Sequence, residues 1–108
     1  MRQGGAEAPP PGATVRVVKG FYAGLEVPVD RDWMVIGRGR GADLVIADPT
    51  LSRSHAAVGW DAEDGFFVQD LGSTNGTRVN GDRLARGPLG DDDALQLGKL
   101  ELRFRCPG

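Results

Sequence analysis

The sequence predicts an all-β fold, a sandwich or barrel of short antiparallel strands. Three observations predict it. Apolar residues alternate with polar ones at period two in several windows, which sends one set of side chains to a core and the other to water. Turn dipeptides separate those windows at close spacing. No long window keeps a helical period without interruption. Glycine is abundant, 17 of 108 residues, and tight turns require it.

Residues 1–13 are rich in Gly, Ala and Pro, with Pro9, Pro10 and Pro11 in a row. Such a stretch buries too little apolar surface to offset its ordering entropy, so it reads as a tail or linker. From Thr14 the pattern changes. Val15 and Val17 alternate with Arg16, and Gly20 and Gly24 bracket the first hairpin connection. Leu25, Val27 and Val29 then alternate with Glu26, Pro28 and Asp30. Shorter apolar runs follow at residues 34–36, 44–46, 56–60, 66–68 and 95–97. Leu100, Leu102 and Phe104 alternate with Glu101, Arg103 and Arg105 at the end. Between them stand Asp48-Pro49, Asp64-Gly65, Asn75-Gly76, Asn80-Gly81 and Gly87-Pro88, all turn signals. No internal repeat is evident. Trp33 and Trp60 fall at strand edges, where core packing is the default.

The composition narrows the function. A formal net charge of −2 argues against a general affinity for nucleic acid or an anionic membrane. An anion site must then be local, built from a few placed groups. The lone cysteine, Cys106, permits no internal disulfide, which suits a cytoplasmic protein. No apolar run approaches the roughly 20 residues of a membrane span, and no signal-peptide pattern opens the chain. One histidine and one distant cysteine do not make a metal site, and no cofactor is expected.

Three connections concentrate polar groups: residues 38–43, 48–54 and 72–77. Rigid sheets commonly present such loops at one end. Arg38 directly follows the strand expected at residues 34–37, and its guanidinium suits bidentate, charge-assisted bonds to phosphate. Ser52 and Thr74 offer hydroxyls, Arg53 a second cation. Asn75 carries a donor and an acceptor, which suits reading the amides of an extended peptide. Each has a duller reading when taken alone: a surface arginine, a turn hydroxyl, an Asn-Gly hairpin.

Together, the strings Ile36-Gly37-Arg38, Leu51-Ser52-Arg53-Ser54-His55 and Asp70-Leu71-Gly72-Ser73-Thr74-Asn75-Gly76-Thr77 resemble the forkhead-associated (FHA) domain family in order and spacing. Val79-Asn80-Gly81 and the run from Gly90 to Gly98 resemble it too. The resemblance covers roughly residues 15–105 and sets an expected domain at 14–106. It implies an FHA-type β-sandwich of about eleven strands in two antiparallel or mixed sheets, with ligand loops at one edge. It implies a monomeric module that binds phosphothreonine on a Ser/Thr kinase or its substrate, without catalysis. By position, Arg38, Ser52, Arg53 and Thr74 would hold the phosphate. Asn75 would bind the peptide backbone. Gly37, His55 and Gly76 would be structural. Arg40, Thr50 and Arg78 are the candidates for reading neighbouring peptide residues.

Three other readings remain. A phospho-independent interaction domain would use a sheet face, but should have lost some of the four loop residues Arg38, Ser52, Thr74 and Asn75. An autoinhibitory module would bind a phosphothreonine elsewhere in a longer protein. A hydrolase would pair Ser52 with His55, yet a triad needs hydroxyl, base and orienting acid in mutual reach, and no Gly-x-Ser-x-Gly elbow is present. The Gly37-Arg38-Gly39-Arg40-Gly41 stretch lacks the helix of a dinucleotide loop and the aromatic platforms of an RNA segment. Asp91-Asp92-Asp93 reads as a solvated turn, with no calcium-loop spacing around it.

Overall fold

The computed structural model describes residues 8–107. Eleven strands form in order: β1 Thr14–Val17, β2 Glu26–Pro28, β3 Trp33–Gly37, β4 Leu44–Val45, β5 Ala56–Asp61, β6 Gly65–Asp70, β7 Thr77–Val79, β8 Asp82–Arg83, β9 Arg86–Pro88, β10 Asp93–Leu97 and β11 Leu100–Arg105. One sheet has the order β2-β1-β11-β10-β7-β8, the other β4-β3-β5-β6-β9. The strand pairings are antiparallel except β3 with β4, which are parallel, so the second sheet is mixed. The expected sandwich is therefore the observed architecture. Among the described residues no helix is long and apolar enough to cross a membrane.

Alternation builds the core between the sheets. Val15 and Val17 of β1 face Leu102 and Phe104 of β11 across the ladder, and all four are buried. Leu95 and Leu97 of β10 continue that layer, and Ile36, Ala56, Val58 and Val68 close it from the other sheet. Phe66 stacks on Phe104 with ring centroids 5.0 Å apart. Each fully buried large apolar side chain contributes about 1.5–3 kcal/mol. The core extends N-terminally past the expected boundary of the tail: Ala13 is buried in it and Pro9 is buried as well. Residues 1–7 of that tail lie outside the described residues.

Two local expectations change. Leu25 does not join the core with Val29, because it sits at the mouth of the β1–β2 hairpin, where its carbonyl accepts the Val17 N–H. Trp33 is not a core residue either. It is 39% exposed and lies on the outer face of the second sheet, 6.2 Å from the Phe67 ring. Phe67 packs flat over Gly59, where a Cβ would meet the ring, and the Arg86 guanidinium covers its other side at 4.0 Å. That cover explains why Ala57 and Gly59, on the outward face of β5, are also buried.

Candidate functional site

The end of β3 is zipped to residues 51–55. The Arg38 N–H donates to the Ser52 carbonyl at 3.0 Å, Gly39 N–H to the Arg53 carbonyl at 3.1 Å, and His55 N–H to the Ile36 carbonyl at 2.9 Å. The backbones come so close that a Cβ on Gly37 would run into the Arg53 carbonyl. Only glycine fits, so the structural role expected of Gly37 has a steric cause. Arg38 is the first residue past this junction. Its Nε donates to the Leu51 carbonyl at 3.0 Å, which fixes the guanidinium plane and leaves both Nη groups toward solvent.

The third loop docks on the second. Thr74 N–H donates to Ser52 Oγ at 3.1 Å. The hydroxyl oxygen thus accepts from protein and its own proton is free to donate. Asn75 Nδ2 donates to the Thr50 carbonyl at 2.8 Å, and its Oδ1 takes no partner among the described residues. Thr50 is itself pinned: its N–H and Oγ1–H both go to Asp48 Oδ1, at 2.8 and 2.7 Å, and its Oγ1 accepts the Lys99 N–H at 2.9 Å.

His55 sits behind the loops, completely buried. Ser52 N–H donates to its Nδ1 at 3.1 Å, which makes Nε2 the protonated nitrogen, and Nε2 donates to the Gly76 carbonyl at 2.8 Å. One ring thereby ties the second loop to the third. Both nitrogens are occupied and neither approaches the Ser52 hydroxyl as a base would.

Asp70, which sequence reasoning leaves without a role, organises the third loop. Its carboxylate accepts from Ser73 Oγ and Thr77 Oγ1 on one oxygen, and from Gly72 N–H and Ser73 N–H on the other. Ser73 Oγ in turn accepts the Gly76 N–H at 2.9 Å. Burial pushes the Asp70 carboxyl up, but the bonds from Ser73, Thr77 and Gly72 together outweigh it and hold the group below its ordinary value. An Asp followed by Gly and Ser, with a Thr seven residues on, was a readable sign of a side-chain-bonded turn.

Arg38, Ser52, Arg53, Thr74, Asn75 and Thr50 thus converge on one edge of the sandwich, with His55 and Gly76 beneath. Arg38, Gly39, Arg40, Gly41, Arg53 and Ser54 line an open groove of about 560 Å³. Arg78 does not join them: its Nη1 leans toward the Gly81 carbonyl, 3.5 Å away, at the β7–β8 turn. Arg83, unremarked in the sequence, lies beside Gly76 instead. Among the described residues the ion-paired cations are Lys19, Arg31, Arg103 and Arg105, all outside this edge. Arg38, Arg40 and Arg53 have no carboxylate partner among the described residues. No cluster of side chains suited to a metal ion occurs among the described residues.

A two-sheet sandwich whose loops bring Arg38, Ser52 and Asn75 together defines a domain of the FHA class. The FHA domain family model matches residues 34–98, and the chain belongs to that family. It is 38% identical over 101 residues to the glycogen accumulation regulator GarA of Mycobacterium tuberculosis, covering 93% of this chain and 62% of that protein. It is 41% identical over 98 residues to the oxoglutarate dehydrogenase inhibitor of Corynebacterium diphtheriae, covering 89% and 67%. Among solved structures, an FHA domain studied for phosphothreonine-dependent interactions superposes with a TM-score of 0.80 at 31% identity, covering 89% of this chain and 97% of that one. The chain therefore spans under two thirds of the length of GarA.

Proposed function

We propose that residues 14–106 form a phosphothreonine-dependent peptide-binding module of Ser/Thr kinase signalling that performs no catalysis. The carrying observation is the pairing of Arg38 with Ser52. The inner Nε of Arg38 is committed to the Leu51 carbonyl, and the Ser52 oxygen is committed to Thr74 N–H. Arg38 then offers its two Nη groups and Ser52 its hydroxyl proton, all of them donors. A phosphate dianion offers only acceptors, so these donors suit it. Arg53 and Thr74 would add contacts to it. The open Oδ1 of Asn75 would take a backbone N–H of the extended peptide beside the phosphothreonine. A few charge-assisted bonds of roughly 1.5–3 kcal/mol each support affinity near micromolar, about −8 kcal/mol.

Two observations weigh against the hydrolase reading. His55 has no free nitrogen to serve Ser52 as a base, which removes the support for a hydrolase. The names of GarA and of the oxoglutarate dehydrogenase inhibitor describe regulation. We read the partner of this domain as a phosphorylated kinase or kinase substrate, and its output as proximity.

The test is calorimetric titration with matched phosphothreonine and threonine peptides. Binding is expected for the phosphorylated form alone, with a loss of about tenfold or more in Arg38→Ala and a smaller loss in Ser52→Ala. Equal binding of the unmodified peptide overturns the proposal.

A further inference from the structure

Arg78 and Arg83 stand directly opposite each other in the β7–β8 register. Like charges placed directly opposite each other are destabilising, and a carboxylate between them would relieve this. Here there is none: neither arginine takes part in an ion pair among the described residues. The neighbouring Asp82 pairs with Val79, whose side chain is buried, and so belongs to the other face by strand alternation. The two guanidinium groups part instead. Arg78 leans to the turn and the Gly81 carbonyl. Arg83 leans the opposite way and comes to rest over Gly76, where a Cβ would lie 2.7 Å from its Nε and 2.8 Å from its Cζ.

The seat is made for this placement. Gly76 has φ of +87°, a conformation that favours glycine, and its missing side chain is the space the guanidinium occupies. Gly76 is also held from three sides. Its N–H donates to Ser73 Oγ, and its carbonyl accepts from His55 Nε2 and from Gly98 N–H. The cation therefore rests on one of the best-anchored residues of the ligand edge. Asn75, the expected backbone reader, is the next residue along the chain.

We propose that Arg83 is a second anion subsite of the peptide-binding edge, seated on Gly76 next to Asn75 in the chain. It selects ligands that carry a negative group, a carboxylate or a further phosphate, at one defined distance along the peptide from the phosphothreonine. The inference rests on the phosphothreonine reading and adds a specificity residue to it. An exposed arginine with a carboxylate gives up to about 1 kcal/mol, hence a gain of roughly two- to fivefold in affinity. A phosphate in the same place accepts more charge-assisted bonds, and a gain of about tenfold is expected.

The experiment uses the full chain and a phosphothreonine peptide with otherwise uncharged neighbours. Glutamate, and in a second series phosphoserine, is walked through each flanking position, and affinities are measured for the parent, Arg83→Gln and Arg78→Gln. The expected result is a gain confined to one region of the peptide, erased by Arg83→Gln, kept by Arg78→Gln, with the uncharged peptide bound within about twofold by all three. Glutamate and phosphoserine arms tell an acidic side chain from a second phosphate as the better ligand. Binding of the uncharged phosphopeptide with no gain at any position overturns this inference alone, as does a gain that survives Arg83→Gln. Failure of the uncharged phosphopeptide to bind the parent protein overturns the phosphothreonine reading as well.

Discussion

The chain contains the same dipeptide twice within seven residues, Asn75-Gly76 and Asn80-Gly81, and uses it in two different ways. At Asn80-Gly81 both residues have positive φ, 51° and 91°, the type I′ geometry that joins twisted strands by two residues. Asn80 spends its whole amide on the protein: Nδ2 donates to Asp93 Oδ1 at 3.0 Å, and Oδ1 accepts the Ala94 N–H at 2.9 Å. At Asn75-Gly76 only the glycine has positive φ. Asn75 spends one end on the Thr50 carbonyl and leaves the other open. A residue with both ends of its amide bonded within the protein is scaffold. One held by half of it is presented to something else.

The difference should be sharpest in stability. Asn80→Ala removes two side-chain hydrogen bonds and places alanine at a φ it rarely adopts. A loss of about 2 kcal/mol is expected, near 8–16 °C in melting temperature for a domain of this size. Phosphopeptide affinity of the folded variant should not change. A melting temperature within a degree or two of the parent would mean that the Asn80 bonds are not what holds this turn.

Asn75→Ala should do the reverse. It loses one exposed bond to Thr50, so its stability should stay within about 0.5–1 kcal/mol of the parent. The peptide loses a backbone partner, and affinity should fall about tenfold. If stability and affinity instead fell together in both variants, the distinction between the two dipeptides would break.

Sequence reasoning could find both dipeptides but could not separate them from local chemistry, because the turn signal is identical. What separates them is distant in sequence. Asn75 is fixed by Thr50 and Gly76 by His55 and Gly98, contacts that exist only once the sandwich closes. The resemblance to the FHA pattern supplied the distinction that turn chemistry could not. Alternation made the strands of the core legible, since Val15, Val17, Leu95, Leu97, Leu102 and Phe104 answer to burial alone. It failed at Trp33, where an outward aromatic is kept by Phe67 and Arg86, and periodicity carries no record of what covers an outer face. Nor does alternation reveal that Arg78 and Arg83 stand opposite each other, or which way each leans. Their mutual repulsion and the vacancy at Gly76 decide that.

The smallest expected effect concerns acid. The loop that presents Asn75 is braced by Asp70, which accepts four bonds, while Asp93 beside the Asn80 turn accepts only from Asn80 Nδ2 and the Gly90 N–H among the described residues. Burial alone would raise the Asp70 group, but the Ser73, Thr77 and Gly72 bonds lower it below the ordinary carboxylate value. A carboxyl depressed on folding stabilises the native state fully above its unfolded value of about 3.9, and that contribution fades as pH falls through the lower native value. The melting temperature should therefore decline more steeply between about pH 4 and pH 2 in the parent than in Asp70→Asn. Asp91, also depressed chiefly by the Cys106 N–H and by Arg105, contributes to the slope in both proteins, so the difference between them isolates Asp70. At neutral pH the variant should already be weaker, because its amide keeps an acceptor for the Gly72 and Ser73 N–H groups only and turns an NH2 donor toward the Ser73 and Thr77 hydroxyls, which donate to the carboxylate in the parent. Equal slopes in the acid limb would show that the brace does not depend on the charge of Asp70. The presentation of Asn75 would then rest on its bond to Thr50 and on the His55 and Gly98 bonds to Gly76.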